Sequence, residues 1–125
     1  MSERLPRSDA DAIAEQLRIF AQPQRLMILA ELLGGERSVG EIEAATAIGQ
    51  PALSQQLAEL RRAALVDTRR EARMIFYSIA DTDVEARVRA LLSVFDSGFA
   101  APRPATRPPS TRPSLVGAAS FARIG

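Results

Sequence analysis

Between Ser38 and Arg73 the sequence sets amides, a hydroxyl and arginines close together. Gln50, Ser54, Gln55 and Gln56 share one short helical pattern. Arg61, Arg62, Arg69, Arg70 and Arg73 follow within 13 residues, diluted only by Asp67 and Glu71. Short amides and hydroxyls on a face with few charges suit the edges of base pairs, Gln pairing with adenine and Ser with either base type. Arginine suits phosphate, which it grips through two donors at once. Phosphate contacts position a protein while base edges specify sequence. Ser54, Gln55 and Gln56 are therefore the candidate base readers, with Gln50 beside them in the DNA-binding set. Arg62, Arg69, Arg70 and Arg73 are the candidate contacts to backbone and minor groove. The plainer alternatives are a merely solvated helix face, and surface ion pairs of Arg61 and Arg62 with Glu59 or Asp67, which contribute little.

Other chemistries find few residues here. The chain has no Cys and no His, which excludes disulfides, thiol chemistry, zinc clusters and an imidazole base. Asp81, Asp83 and Glu85 could hold only a hard cation. Acids at a helix start more simply favour its dipole. With no nucleophile–base pair and no Gly-rich phosphate loop, the expectation is a protein that is not an enzyme and carries neither metal nor cofactor.

The elements that must position these residues are legible from spacing. Ser38 and Glu41 form a capping box that opens a short helix with Ile42 and Ala45 on its apolar side. Ile48-Gly49 breaks it, glycine tolerating the left-handed exit, and Gln50-Pro51 restarts a helix, since proline fits a first turn. Leu53, Leu57 and Leu60 recur at i, i+4 and i+7 as one buried stripe. Two strands follow, Leu65–Arg70 and Met74–Ile79. Ile75, Tyr77 and Ile79 give the second a period of two. The turn near Glu71–Arg73 lacks Gly and Asn, which leaves its register open.

Ahead of this unit lie a helix over about Ser8–Ala21, with Ile13, Leu17 and Phe20 as its stripe, and one over about Pro23–Leu33. Leu26, Ile28, Leu29, Leu32 and Leu33 mark the latter as the central core helix, and Gly34-Gly35 stops it. A second capping box, Thr82 with Glu85, opens a last helix that carries Val84, Val88, Leu91, Leu92 and Phe95 and ends near Gly98. The expected fold is mainly α with a small β-hairpin, in the order α-α-α-α-β-β-α: a winged helix-turn-helix.

The expected organisation is a flexible N-terminus (1–7), the winged domain (8–98) and a disordered Pro/Arg-rich tail (99–125). Residues 101–125 hold five of the eight prolines and four arginines without an acid. They read as an inert extension or as a weak accessory contact to DNA. The net charge of +1 thus hides a body of 12 basic against 15 acidic residues, not the usual footprint of a nucleic-acid binder. Every basic residue is arginine. No secretory signal stands at the N-terminus, and the longest apolar run of the body, Leu26–Ala30, is far short of the ~20 residues of a membrane span. A cytoplasmic protein without membrane contact is expected.

The first and last helices carry apolar stripes that so small a body would struggle to bury. Ile13, Leu17, Phe20, Val88, Leu91, Leu92 and Phe95 are the candidate interface with a second copy, unless both helices simply close over a monomer core. A two-fold dimer sets two reading helices about 34 Å apart and so reads an inverted repeat in double-stranded DNA. The rival readings are a winged-helix module for protein contacts and an RNA binder, which would want exposed aromatics.

Over about residues 12–98 the chain resembles the ArsR/SmtB family of winged-helix repressors. The likeness is strongest in SVGEIE, IGQPALSQQL and TRRE…IFY, which are similar to the sulfide- and persulfide-responsive branch known as biofilm growth-associated repressors. The resemblance implies a homodimer joined through its first and last helices, occupying an inverted repeat until an inducer lowers its affinity. In that branch a cysteine in the second helix and one in the last form the sensing pair. The matching positions here are Ala30 and Asp96, so sensing by that pair is chemically impossible. Gln22 stands where the family often has His before the Pro. The inducer is unknown. The options are a constitutive repressor, a small organic ligand between core and dimer helices, or a pH response at Asp96 if it is buried.

Overall fold

A computed structural model describes residues 4–99. The element order is α1 (Arg7–Phe20), α2 (Pro23–Leu32), β1 (Arg37–Ser38), α3 (Val39–Thr46), α4 (Ala52–Arg62), β2 (Val66–Glu71), β3 (Met74–Ile79) and α5 (Thr82–Phe95), then a 3-10 turn at Ser97–Phe99. The chain divides into two compact units, one ending at Asp81 and the other starting at Thr82. Most of the expected tail, and the first three residues, lie outside the described part.

α2 is the centre of the first unit, touching α1, α3, α4 and β3. Ile28, Leu29 and Leu32 of α2, Ile42 of α3, and Leu53, Leu57 and Leu60 of α4 are buried together with Leu65 and Val66. Each such side chain contributes roughly 1.5–3 kcal/mol by leaving water. The capping box of α3 forms as its sequence requires: Ser38 Oγ accepts the Glu41 N–H at 3.1 Å, and Glu41 Oε1 accepts the Ser38 N–H at 2.8 Å. Gln22 caps α2 in the same manner, its Oε1 accepting the Arg25 N–H at 3.0 Å.

Three features differ from the sequence expectation. Ser38 also belongs to a two-residue strand, so the hairpin becomes a three-stranded antiparallel sheet of order β1-β3-β2. The register of the hairpin is fixed, running from Val66 opposite Ile79 to Glu71 opposite Met74, although β3 is half-buried on both faces from Ile75 onward rather than on one. Thirdly, the left-handed residue after α3 is Ala47 (φ 61°), not Gly49. Thr46 makes that turn locally, its hydroxyl donating to the Ile42 carbonyl at 2.7 Å and accepting the Ile48 N–H at 3.2 Å.

α4 ends in a Schellman motif whose left-handed residue is Ala64 (φ 63°). The Leu65 N–H reaches the Leu60 carbonyl and the Ala64 N–H reaches the Arg61 carbonyl, at 3.0 and 2.9 Å, and the flanking leucines are both buried. Glycine is the residue this position favours. The left-handed conformation costs an L-residue roughly 1–2 kcal/mol, partly offset by the ~0.5–1 kcal/mol of extra freedom glycine loses on folding. Ala64→Gly is therefore expected to stabilise the fold by about 0.5–1 kcal/mol, read as a rise of a few degrees in Tm; a lower Tm would contradict this.

The second unit starts with α5, on which Val84 and Val88 are buried, Leu91 and Leu92 half-buried, and Val94 and Phe95 exposed. Its first helical residue is Thr82, which moves the N-cap position to Asp81. Among the described residues no helix is long and apolar enough to cross a membrane.

Candidate nucleic-acid interface

Because Leu53, Leu57 and Leu60 are held in the core, α4 turns its opposite side to solvent. That side carries Ser54, Gln55, Ala58 and Glu59, with Gln50 in the turn just before it. Ala58 had no chemical signature, yet it lies between Ser54/Gln55 and Arg61/Arg62 on this face and leaves it low enough for close approach.

Gln50 and Ser54 form a unit. Pro51 occupies the N-cap of α4 and offers no side-chain acceptor. The amide oxygen of Gln50 takes over, accepting the Ser54 backbone N–H at 3.2 Å and the Ser54 hydroxyl at 2.6 Å. Gln55 is exposed and makes no side-chain bond among the described residues.

Gln56, expected with the base readers, is half-buried instead. Its Oε1 accepts the Arg25 Nε–H at 2.8 Å, and Arg25 also donates to the Ile19 carbonyl at 3.2 Å. The reason is its helical position, three residues after Leu53 and four before Leu60, on the flank of the buried stripe. Gln56 thus ties α4 to α2 and to the last turn of α1, and Arg25 is a positioning residue that the sequence did not flag.

The arginines divide into held and unheld. Arg62 pairs with Glu59 at 2.6 Å. Arg69 donates to both oxygens of Glu36, at 2.9 and 2.8 Å, and to Glu71 at 2.7 Å. Its guanidinium also lies 4.7 Å from the centre of the Phe76 ring, its partner across the hairpin. Arg61, Arg70 and Arg73 are exposed and make no ion pair among the described residues. Hydrogen bonds from Arg69 hold the Glu36 carboxyl below the usual carboxylate range, and those from Arg62 do the same for Glu59. The bonds to Glu36 and Glu71 raise the pKa of Arg69 in turn. What these pairs add to stability is present at neutral pH and fades as pH falls through the lowered carboxyl values. All are solvent-exposed, so the amount is small, and a phosphate can replace the carboxylate.

Of the candidate dimer residues on α1, Ile13 and Leu17 are exposed (47% and 49%), whereas Phe20 is buried at 5%. On α5, Phe95 is 82% exposed and Val88 is buried at 1%. Phe20 and Val88 therefore belong to the interior of a single chain and are withdrawn from the candidate interface, while Val94, at 75% exposure, joins Phe95. Ala30 is half-buried. Asp96 is only partly buried, and its carboxylate accepts the Gly98 N–H at 2.9 Å. It terminates α5 locally.

Residues 22–68 match the family model described as bacterial regulatory protein, arsR family. The biofilm growth-associated repressor of Agrobacterium fabrum is 49% identical over 86 residues, spanning 69% of this chain and 74% of that protein. The crystal structure of the transcriptional repressor BigR from Xylella fastidiosa matches with a TM-score of 0.65 at 42% identity, over 70% of this chain and 90% of that one. A homodimeric winged helix-turn-helix DNA-binding domain from Mycobacterium bovis, a possible ArsR-family regulator, gives 0.64 at 33% identity, over 78% of this chain and 93% of that one. With its capped α3, the solvent-facing helix α4 that follows it and the β2–β3 hairpin, this chain belongs to the arsR family of bacterial regulatory proteins: it is a DNA-binding transcription regulator, not an enzyme.

Proposed function

We propose that the protein is a cytoplasmic transcriptional repressor that binds an inverted-repeat operator as a homodimer. Gln50, Ser54 and Gln55 read base edges in the major groove. Arg61, Arg70 and Arg73, joined by Arg62 and Arg69 once phosphate displaces their carboxylates, hold the backbone. The observation that carries this reading is the exposed amide and hydroxyl groups of Gln50, Ser54 and Gln55 at the start of α4, together with Arg61, Arg70 and Arg73, which make no ion pair among the described residues. Support for the dimer comes from Ile13 and Leu17 on α1 and Val94 and Phe95 on α5, large apolar groups left in water, and from the homodimeric relative of M. bovis. Two-fold symmetry then demands a palindromic site. With Ala30 and Asp96 in place of a thiol pair, repression is constitutive towards sulfur oxidants.

A mobility-shift titration against the DNA upstream of the protein's own gene tests this. Binding that falls steeply with salt and prefers that DNA to a scrambled copy is expected. Equal, weak binding to both would favour a protein-contact module instead. Within the interface, Gln55→Ala is expected to relax preference at one base position per half-site, costing ~1–3 kcal/mol there. Arg73→Ala should weaken all sequences alike and lower the salt slope by about 1. Identical behaviour of the two variants would remove the division between base readers and backbone readers.

A further inference from the structure

Gln50 is the residue whose hydrogen bonding in the free protein restricts what it can read. A backbone N–H can only donate, so the amide atom facing Ser54 N–H is the oxygen of Gln50. That oxygen also accepts the Ser54 hydroxyl, at 2.6 Å against 3.2 Å for the N–H. A carbonyl oxygen has two lone pairs, and both are used. Adenine recognition by glutamine needs this oxygen to accept the N6 amino group while the amide nitrogen donates to N7. Gln50 is left with its NH2 group alone, a pure donor. Ser54 has spent its hydroxyl proton on the same oxygen and faces outward as a pure acceptor.

We propose that Gln50 and Ser54 together read a G·C pair, with the Gln50 amino group donating to the N7/O6 edge of guanine and Ser54 Oγ accepting from N4 of the paired cytosine. This rests on α4 as the DNA-reading helix. Guanine fits better than thymine because it presents two acceptors side by side to the two N–H bonds of the amide, whereas thymine presents one beside a methyl group. The geometry is set before DNA arrives, since Gln50 is the cap that Pro51 cannot be. Swinging the oxygen towards an adenine would leave the Ser54 N–H without its acceptor. Gln55, with both ends of its amide unengaged, keeps the ordinary adenine-reading option.

Selection by the full chain from a library of randomised duplexes tests the assignment, run in parallel with Gln50→Glu. The carboxylate can accept the same two bonds from Ser54 at the favourable end of the α4 dipole, so the variant keeps the cap and its Tm. It loses the donor and gains an acceptor, which suits cytosine N4. Wild type is expected to enrich guanine at one position per half-site, and Gln50→Glu to replace it by cytosine there. Replacing that guanine by 7-deazaguanine or by 2-aminopurine, which lack N7 and O6 in turn, should weaken wild-type binding about tenfold for at least one of them. Adenine at that position in wild type, a variant that loses affinity for all sequences without changing preference, or indifference to both base analogues would overturn the proposal while leaving the DNA-binding reading intact. If wild type enriches no sequence, the DNA-binding reading fails and takes this one with it.

Discussion

Leu17→Glu is expected to yield a monomer that has lost its specific DNA site. Leu17 stands half in water on α1, so the substitution changes little within one chain, where exposed sites seldom matter by more than ~0.5 kcal/mol. In a two-fold interface each substitution counts twice, and an uncompensated carboxylate buried against apolar groups costs several kcal/mol. Losing the dimer separates the half-sites, leaving the weak electrostatic binding that any basic wing gives. Since specific sites are bound ~10³–10⁷ times more tightly than random DNA, a loss of at least about a hundredfold is expected. Light scattering after gel filtration reports the mass and a mobility shift the affinity. A Leu17→Glu dimer with full affinity would remove α1 from the interface. Phe95→Glu, at the most exposed large apolar residue of α5, should act the same way.

The second large effect belongs to Leu53→Ala. Leu53 is fully buried and fixes the first turn of α4 against the core. Leucine-to-alanine changes in such sites cost 2–5 kcal/mol, the transfer of the lost methyl groups plus the cavity left behind. About 3 kcal/mol is expected here, a drop of roughly 10–20 °C in Tm for a domain of this size. Thermal melting at fixed protein concentration measures it, since dimerisation makes Tm depend on concentration. A change below about 1 kcal/mol would mean that the site collapses around the smaller residue and that α4 is held mainly elsewhere, the Arg25–Gln56 bond being the first place to look.

What could be read from the sequence is what short-range periodicity and polarity dictate. The Ser38–Glu41 box is a four-residue pattern with one stable outcome, and it forms as spelled. The spacing of Leu53, Leu57 and Leu60 leaves α4 one way to face the core. The same spacing places Gln56 on the flank of that stripe, so its inward turn is legible there, even though its side chain is the same as that of the outward-facing Gln50 and Gln55.

Other features had no local signal. Ala47, Ala64 and Ala72 are the left-handed residues at three reversals, yet alanine is the strongest helix former and marks no turn. Glu36 and Arg69 lie 33 residues apart, and only the pairing of β1 with β3 and of β3 with β2 brings them together. Phe20 and Val88 continue the stripes of α1 and α5 in sequence. Spacing alone does not say where along a helix the interior of one chain gives way to a surface another chain can cover.

Hydroxyl-radical footprinting of the full chain on the duplex it binds most tightly is the most direct measurement of the central claim, that two copies of α4 enter successive major grooves. Two protected patches on one face of the DNA are expected, their centres about one helical turn, ~10 base pairs, apart, with both patches lost in Leu17→Glu. A single patch, protection spread evenly around the duplex, or a pattern unchanged by that substitution would contradict it.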